Sequence, residues 1–316
     1  MKKYALISIL SLCLAAGAFF AACSSNSSNP TVSQVYTGDA NHGQYLVETV
    51  TGCADCHSQL DQQGNIVAGM KFAGGQRFYL GPQVGAVYSR NITQDSVNGI
   101  GAWTDAEIIT AVRTGIIPQH AMNGMIMSDT LFPVMPYQLL GNYSDNDMQD
   151  IVAYLRTIKG IKYAPPMDTV FFRPLAAKET TIPTPASTND VNLRGKYLVT
   201  VGLCADCHTQ RQAPPSTGLD ISKFLAGGFG FDGIFPNVTI YSANITPDMN
   251  TGIGMWSDAQ IDSAFQHGKD DQGKQICPPM PWARFAGLSS ADAQAIIAYL
   301  HTIPAVKDSV PNNCPF

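Results

Sequence analysis

The chain has 316 residues, 14% of them charged and 45% apolar, which is long enough for two domains with a core each and too apolar for a disordered chain. Its formal charge is −5, from 19 basic and 24 acidic residues. A surface this acidic has little for a phosphate backbone to hold, so nucleic acid is excluded as an expected partner and a partner with a basic face is favoured.

At the N-terminus, Lys2 and Lys3 precede an apolar run from Tyr4 to Phe20, the pattern of a signal peptide over residues 1–22. Ala21-Ala22-Cys23, followed by Ser24-Ser25-Asn26-Ser27-Ser28-Asn29-Pro30, is similar to a bacterial lipobox and tether, with Phe20 where leucine is usual. Cys23 is therefore expected to carry a lipid, with residues 23–37 as its tether. Without Lys2 and Lys3 the remainder has 17 basic and 24 acidic residues, a formal charge of −7. No later apolar run reaches the ~18–20 residues needed to cross a membrane. The expected location is the periplasmic side of the cell envelope, lipid-anchored, with the choice of inner or outer membrane open.

The chain then aligns with itself at a spacing of about 150 residues. Gly43-Gln44-Tyr45-Leu46-Val47 recurs as Gly195-Lys196-Tyr197-Leu198-Val199, and Cys53-Ala54-Asp55-Cys56-His57 as Cys204-Ala205-Asp206-Cys207-His208. Further on, Ala73-Gly74-Gly75 matches Ala226-Gly227-Gly228, Asn91-Ile92-Thr93 matches Asn244-Ile245-Thr246, and Gly99-Ile100-Gly101 matches Gly252-Ile253-Gly254, each of the last pair leading to a tryptophan, Trp103 or Trp256. Met135-Pro136 pairs with Met280-Pro281, and Ala153-Tyr154-Leu155 with Ala298-Tyr299-Leu300. The order implies two tandem domains, residues 38–164 and 188–316. The proline-bearing stretch 165–187, which lacks a helical period, is read as their linker.

Helix starts are legible within each copy. Thr104-Asp105-Ala106-Glu107 and Ser257-Asp258-Ala259-Gln260 are capping-box patterns, and Ser144 with Asp147 and Ser289 with Asp292 mark later starts. The runs Met148 to Ile158 and Ala293 to Ile303 carry apolar residues at helical spacing. They are expected to cross the helices preceding the Cys motifs near Gly43 and Gly195, where glycine permits close backbone approach. The expected fold class is all-α, each domain a few short helices.

A Cys-x-x-Cys-His sequence provides two thiols for thioether bonds to haem vinyl groups and an imidazole for iron. Two c-type haems are expected, one on Cys53, Cys56 and His57 and one on Cys204, Cys207 and His208. The competing readings are a disulfide, a zinc knuckle or a thiol-redox pair; zinc lacks a second Cys pair at either site. Distal ligands are sought in the matched loops, at Met135, 78 residues after His57, and Met280, 72 after His208. Each precedes a proline that stiffens its loop, against the ordinary use of methionine as core filling. Of the other histidines, His42, His120, His267 and His301, no two occupy matching positions. His120 sits in an eight-residue expansion with Met122, Met125 and Met127, soft ligands suited to copper(I) but more simply read as a packing or docking loop.

Trp103 and Trp256 are candidates to donate an indole proton to a haem propionate, Asn91 and Asn244 to fix their loops, and Arg90 to neutralise a propionate; Ala243 stands where Arg90 does in the other copy. Cys277 and Cys314 remain and are expected to form a disulfide in an oxidising compartment.

The pattern resembles the class I cytochrome c domains of the cytochrome subunits of bacterial membrane-bound alcohol and gluconate dehydrogenases and related dihaem cytochromes. The resemblance rests on Asn244-Ile245-Thr246-Pro247-Asp248, Gly252-Ile253-Gly254, Trp256-Ser257-Asp258, Pro279-Met280-Pro281-Trp282 and Ala298-Tyr299-Leu300. Two departures stand: those subunits usually carry three haem domains, and Gln94 replaces the proline expected after Asn91-Ile92-Thr93. The resemblance implies an electron carrier, with no catalytic residues of its own, between a dehydrogenase or quinol-linked donor and an oxidase or other terminal acceptor. A dihaem cytochrome c peroxidase, or a cytochrome subunit of an oxidase or sulfur-compound dehydrogenase, is the alternative.

Overall fold

A computed structural model describes residues 36–61, 64–118, 130–171, 189–212 and 218–315. Cys23, His120, Met122, Met125, Met127 and most of the expected linker lie outside the described residues.

Asp39 opens α1 (Ala40–Tyr45) by accepting from the Asn41 and His42 amides, and the helix continues as a π-helical turn over Leu46–Val50. The sequence accounts for that turn. Ten residues separate Gly43 from Cys53 but nine separate Gly195 from Cys204, and a π-turn absorbs one extra residue without breaking the helix. In the second half the corresponding helix is a regular α-helix, called α6 below.

After α2 (Cys53–His57) the chain forms a hairpin of β1 (Arg77–Tyr79) and β2 (Ala86–Tyr88), in the register Arg77 to Tyr88. It then enters α3 (Asp105–Thr114), α4 (Tyr137–Leu140) and α5 (Asp145–Thr157). The second half follows the same order: α6 (Val191–Val201), α7 (Cys204–His208), the β3 (Gly230–Phe235) and β4 (Val238–Tyr241) hairpin, α8 (Asp258–His267), α9 (Trp282–Phe285) and α10 (Ser290–Thr302). Both capping boxes form, on Thr104 with Glu107 and on Ser257 with Gln260. Ser144 and Ser289 accept from the amides of Asp147 and Asp292.

The fold is mainly helical, as expected, and the all-α expectation is corrected only in that each half adds a two-stranded hairpin. Their strands are three to six residues long, too short for alternation to stand out beside glycine-rich turns. The linker reading is corrected at its start. The Thr169 amide donates to the Ala86 carbonyl at 2.8 Å and the Phe171 amide to Val84 at 3.1 Å, so residues 168–171 lie along the hairpin. Asp168 accepts from the Tyr88 amide at 3.0 Å.

The long helices cross where the glycines allow it. A Cβ on Gly43 would fall 1.9 Å from the Asp150 carbonyl oxygen of α5, and one on Gly195 1.9 Å from that of Ala295 in α10, so backbone lies directly on backbone. The described residues from Tyr36 onward form one compact unit. Leu46, Val47, Val50 and Met148 from the first half and Tyr197, Leu198, Val199 and Val201 from the second join one buried apolar cluster.

Candidate functional site

Each Cys-x-x-Cys-His segment forms one helical turn, preceded by a left-handed residue: Gly52 at φ 74° before α2 and Leu203 at φ 64° before α7. That kink turns the chain sharply into the motif. Leu203 tolerates it without glycine's freedom, a strain worth about 1–3 kcal/mol that the surrounding packing must hold.

Behind each motif the chain folds back onto its histidine. The Gly74 amide donates to the His57 carbonyl and the Gly227 amide to the His208 carbonyl, both at 2.7 Å. Ser58 accepts from the Phe72 amide at 3.1 Å and Thr209 from the Leu225 amide at 3.0 Å. Phe72 and Leu225 are themselves left-handed, at φ 64° and 59°. The return brings a main-chain carbonyl to each imidazole: His57 Nδ1 lies 2.7 Å from the Arg90 oxygen, and His208 Nδ1 2.7 Å from the Ala243 oxygen. Carbonyls only accept, so Nδ1 carries the proton and Nε2 keeps its lone pair. This is how proteins orient a metal-ligating imidazole. Burial lowers both imidazole pKa values, with the carbonyl bond acting in the opposite sense.

The thiols discriminate among the readings of the motif. Cys53, Cys56, Cys204 and Cys207 are free, whereas Cys277 and Cys314 are joined in a disulfide with Cα atoms 5.8 Å apart. Burial pushes Cys53 and Cys207 up to about 12 and Cys204 to about 11, while Cys56 is exposed. A thiol-redox nucleophile needs the reverse, a lowered pKa. Zinc would need further ligands. Among the described residues the one group of three or more His, Cys, Asp or Glu side chains close enough to share an ion is His42, Asp147 and Asp150, and it includes no Cys motif. Two free thiols and a preset imidazole on one helical turn fit a covalently bound haem iron.

Met135 and Met280 are partly buried against the core, as are Trp103 and Trp256. Pro136 and Pro281 cap α4 and α9 immediately after the methionines. The competing histidines that have partners are engaged elsewhere: His42 Nδ1 lies 2.7 Å from Asp150 and His301 Nε2 2.9 Å from Asp258. Arg90 is spent on Asp168 at 2.9 Å and the Pro166 carbonyl at 3.4 Å, because the docked 165–171 segment brings a carboxylate to it. Asn91 and Asn244 fix their loops. Each side-chain oxygen accepts from the amide and hydroxyl of the following threonine, and each amide nitrogen reaches the chain beyond the last helix, Ile161 and Tyr163 in one case and Val306 in the other. Gln94, in place of the expected proline, donates to the Leu155 carbonyl at 3.0 Å and accepts from Arg156 at 3.1 Å. Sequence reasoning missed the Arg90 and Ala243 carbonyls. Their signal was the position just before the matched Asn-Ile-Thr blocks.

Residues 40–159 match the cytochrome c family model. They form a cytochrome c domain. Members of the cytochrome c family carry covalent haem c. Across 89% of its length the chain is 28% identical to the fructose dehydrogenase cytochrome subunit of Gluconobacter japonicus and 29% identical to a diheme cytochrome c-type protein of Cereibacter sphaeroides, covering 56% and 91% of those proteins. It is 27% identical, over 84% of its length, to the cytochrome c subunit of a quinone alcohol dehydrogenase of Gluconobacter oxydans, covering 55% of it. The chain thus spans about half the length of these two dehydrogenase subunits.

Proposed function

We propose that this cytochrome c protein holds two haem c groups and relays electrons between a dehydrogenase or quinol-linked donor and a terminal acceptor. Cys53, Cys56 and His57 would hold one group with Met135 opposite, and Cys204, Cys207 and His208 the other with Met280 opposite. The observation that carries the reading is the equal 2.7 Å bond from each motif histidine to a main-chain carbonyl, which presets both imidazoles as iron ligands. A bound haem c supplies a one-electron couple; the protein fixes its ligands and shields it from water. Methionine opposite histidine closes the iron to small ligands, which suits transfer rather than bond chemistry. Trp103 and Trp256 are assigned to the propionates.

Residues 38–164 and 188–316 are the two haem domains in this reading. The Cys277–Cys314 disulfide supports an oxidising compartment, and with the apolar run at residues 4–20 it supports export to the periplasm and a lipid on Cys23. The likeness to dehydrogenase cytochrome subunits supports a membrane dehydrogenase as redox partner.

Intact mass and pyridine haemochrome analysis of protein purified from the envelope should give two haems per chain. Optical spectra should show two low-spin centres with the methionine-to-ferric-iron charge-transfer band and no cyanide binding at equilibrium. One haem per chain would overturn the reading. A centre that binds peroxide or cyanide readily would replace it with the peroxidase alternative. Mass spectrometry of the N-terminal peptide reads the lipid on Cys23 directly.

A further inference from the structure

The aspartates inside the two Cys motifs are equivalent in sequence, yet they find their cations differently. Asp206 in α7 pairs with Arg211, five residues along the same chain segment. In the first half Leu60 stands where Arg211 does, and Asp55 has no such neighbour. It lies 2.9 Å from the Nε of Arg284, which belongs to α9 in the other half. The position matching Arg284 in the first half is Leu139, a buried core residue. A cation therefore stands at one of two equivalent places, and it reaches across to the other motif.

Arg284 does more than pair with Asp55. Its Nη1 donates to the Thr49 carbonyl at 2.8 Å and the Val50 carbonyl at 2.5 Å, the last turn before α2. Gly52 makes room for it, since a Cβ there would lie 2.4 Å from Arg284 Nε. The two motif approaches also touch, through the Thr51 hydroxyl, which donates to the Val201 carbonyl at 2.9 Å. Arg284 thus sits where both motifs begin.

We propose that Arg284 is a positioning residue shared by both haem sites, fixing the chain into α2 and lending one positive charge to both iron centres. This rests on the two-haem reading above. One-electron reduction of a ferric haem makes its site more negative by one charge, so a fixed cation nearby favours the reduced form. The Arg284 side chain is 11% exposed and that of Asp55 49%; the cation is held away from water while its counter-charge is half screened, so a net positive field remains.

Spectroelectrochemical titration of the holoprotein tests this, with wild type measured first for haem count. Arg284→Gln should lower both midpoint potentials. Asp55→Asn, which removes the opposing charge, should raise that of the first centre. Arg284→Lys keeps the charge but not the two-carbonyl fork. It should hold the potentials near wild type while amide hydrogen exchange speeds up across residues 49–56. Potentials unchanged in Arg284→Gln, whatever its melting temperature, would reduce Arg284 to a structural residue and overturn the proposal. A shift at one centre alone would overturn its shared role. Should Arg284→Gln not fold, Asp55→Asn decides: a rise sustains the field argument and no change ends it. A wild-type protein with one haem would instead fail the two-haem reading, before any variant is compared.

Discussion

Tyr45 donates its hydroxyl to Asp292 at 2.7 Å, a bond between residues 247 apart in the chain. The same oxygen accepts from the Ser289 amide at 3.4 Å, so a tyrosine of α1 caps the start of α10. The relationship is returned in the opposite sense. Tyr197 of α6 donates to Asp147 and accepts from the Ser144 amide at 3.3 Å, capping α5. Each half thus lends a tyrosine to the other's C-terminal helix, the self-complementary arrangement of a two-fold interface built within one chain.

Removing these hydroxyls should cost unequal amounts. Tyr197 and Asp147 are both buried, and Tyr197→Phe takes a donor from a carboxylate out of contact with water, about 1.5–3 kcal/mol. Tyr45→Phe should cost about 1 kcal/mol, because Asp292 keeps the Arg194 fork at 2.8 and 2.9 Å. Urea midpoints of the two variants against wild type measure both. A Tyr197→Phe protein as stable as wild type would show that the exchanged bonds contribute nothing.

Asp292 also gives the interface a pH dependence. Burial raises its pKa, but the hydrogen bonds and charge of Arg194 and the bond from Tyr45 outweigh it, leaving the carboxyl below its ordinary value of 3.8. A depressed folded pKa contributes stability above the unfolded pKa, and that contribution is lost as pH falls through the folded one. Unfolding free energy should therefore decline between about pH 5 and pH 3, and more shallowly in Asp292→Asn. The two curves should run parallel above about pH 6. Identical slopes in the acid window would refute the assignment.

Much of this site is legible in the chain's local patterns. The Cys-x-x-Cys-His motifs, all four serine and threonine caps and the two close-approach glycines rest on local rules that hold whatever surrounds them. What the sequence hid were contacts between copies. Alignment shows that Tyr45 matches Tyr197 and Asp147 matches Asp292, but in a tandem duplication the same match is obtained whether a partner comes from a residue's own half or the other. The ligand-orienting carbonyls of Arg90 and Ala243 were hidden for a different reason: a main-chain oxygen leaves no residue-type signature. Arg90 misled because its charge suggested a propionate, whereas Asp168 arrives on a segment read as linker.

The crossing glycines yield a sharp mutational contrast. In Gly43→Ala the new methyl would meet the Asp150 carbonyl oxygen at 1.9 Å and in Gly195→Ala that of Ala295 at 1.9 Å. Neither obstacle is a flexible side chain, so α1 must part from α5, or α6 from α10. Each change should cost ~3 kcal/mol or more, the upper end for overpacking, despite alanine's better helix propensity. Gly64→Ala, at φ 82° and with nothing within 4 Å of a Cβ, gives the cost of left-handed backbone strain without a clash, for comparison. Thermal melts of the three variants decide it, and a Gly43→Ala protein melting with the Gly64→Ala control would sink the close-contact account.

The disulfide should matter for stability and locally for the second centre. Cys277 and Cys314 close a loop 37 residues apart, for which chain entropy gives ~3–4 kcal/mol of stabilisation. Cys277 lies three residues before Met280, so the bond anchors the loop that presents the proposed distal ligand; the first half has no equivalent tie near Met135. The paired Cys277→Ser, Cys314→Ser variant should melt lower while keeping its covalent haem content, since the attachment cysteines are untouched. Loss of the tie should weaken methionine ligation at the second centre only. On warming, its methionine charge-transfer band should fade first, in a spectrum where the first centre's band persists. If both bands faded together at the temperature of global unfolding, the disulfide would be a general staple and not a brace for the Met280 loop.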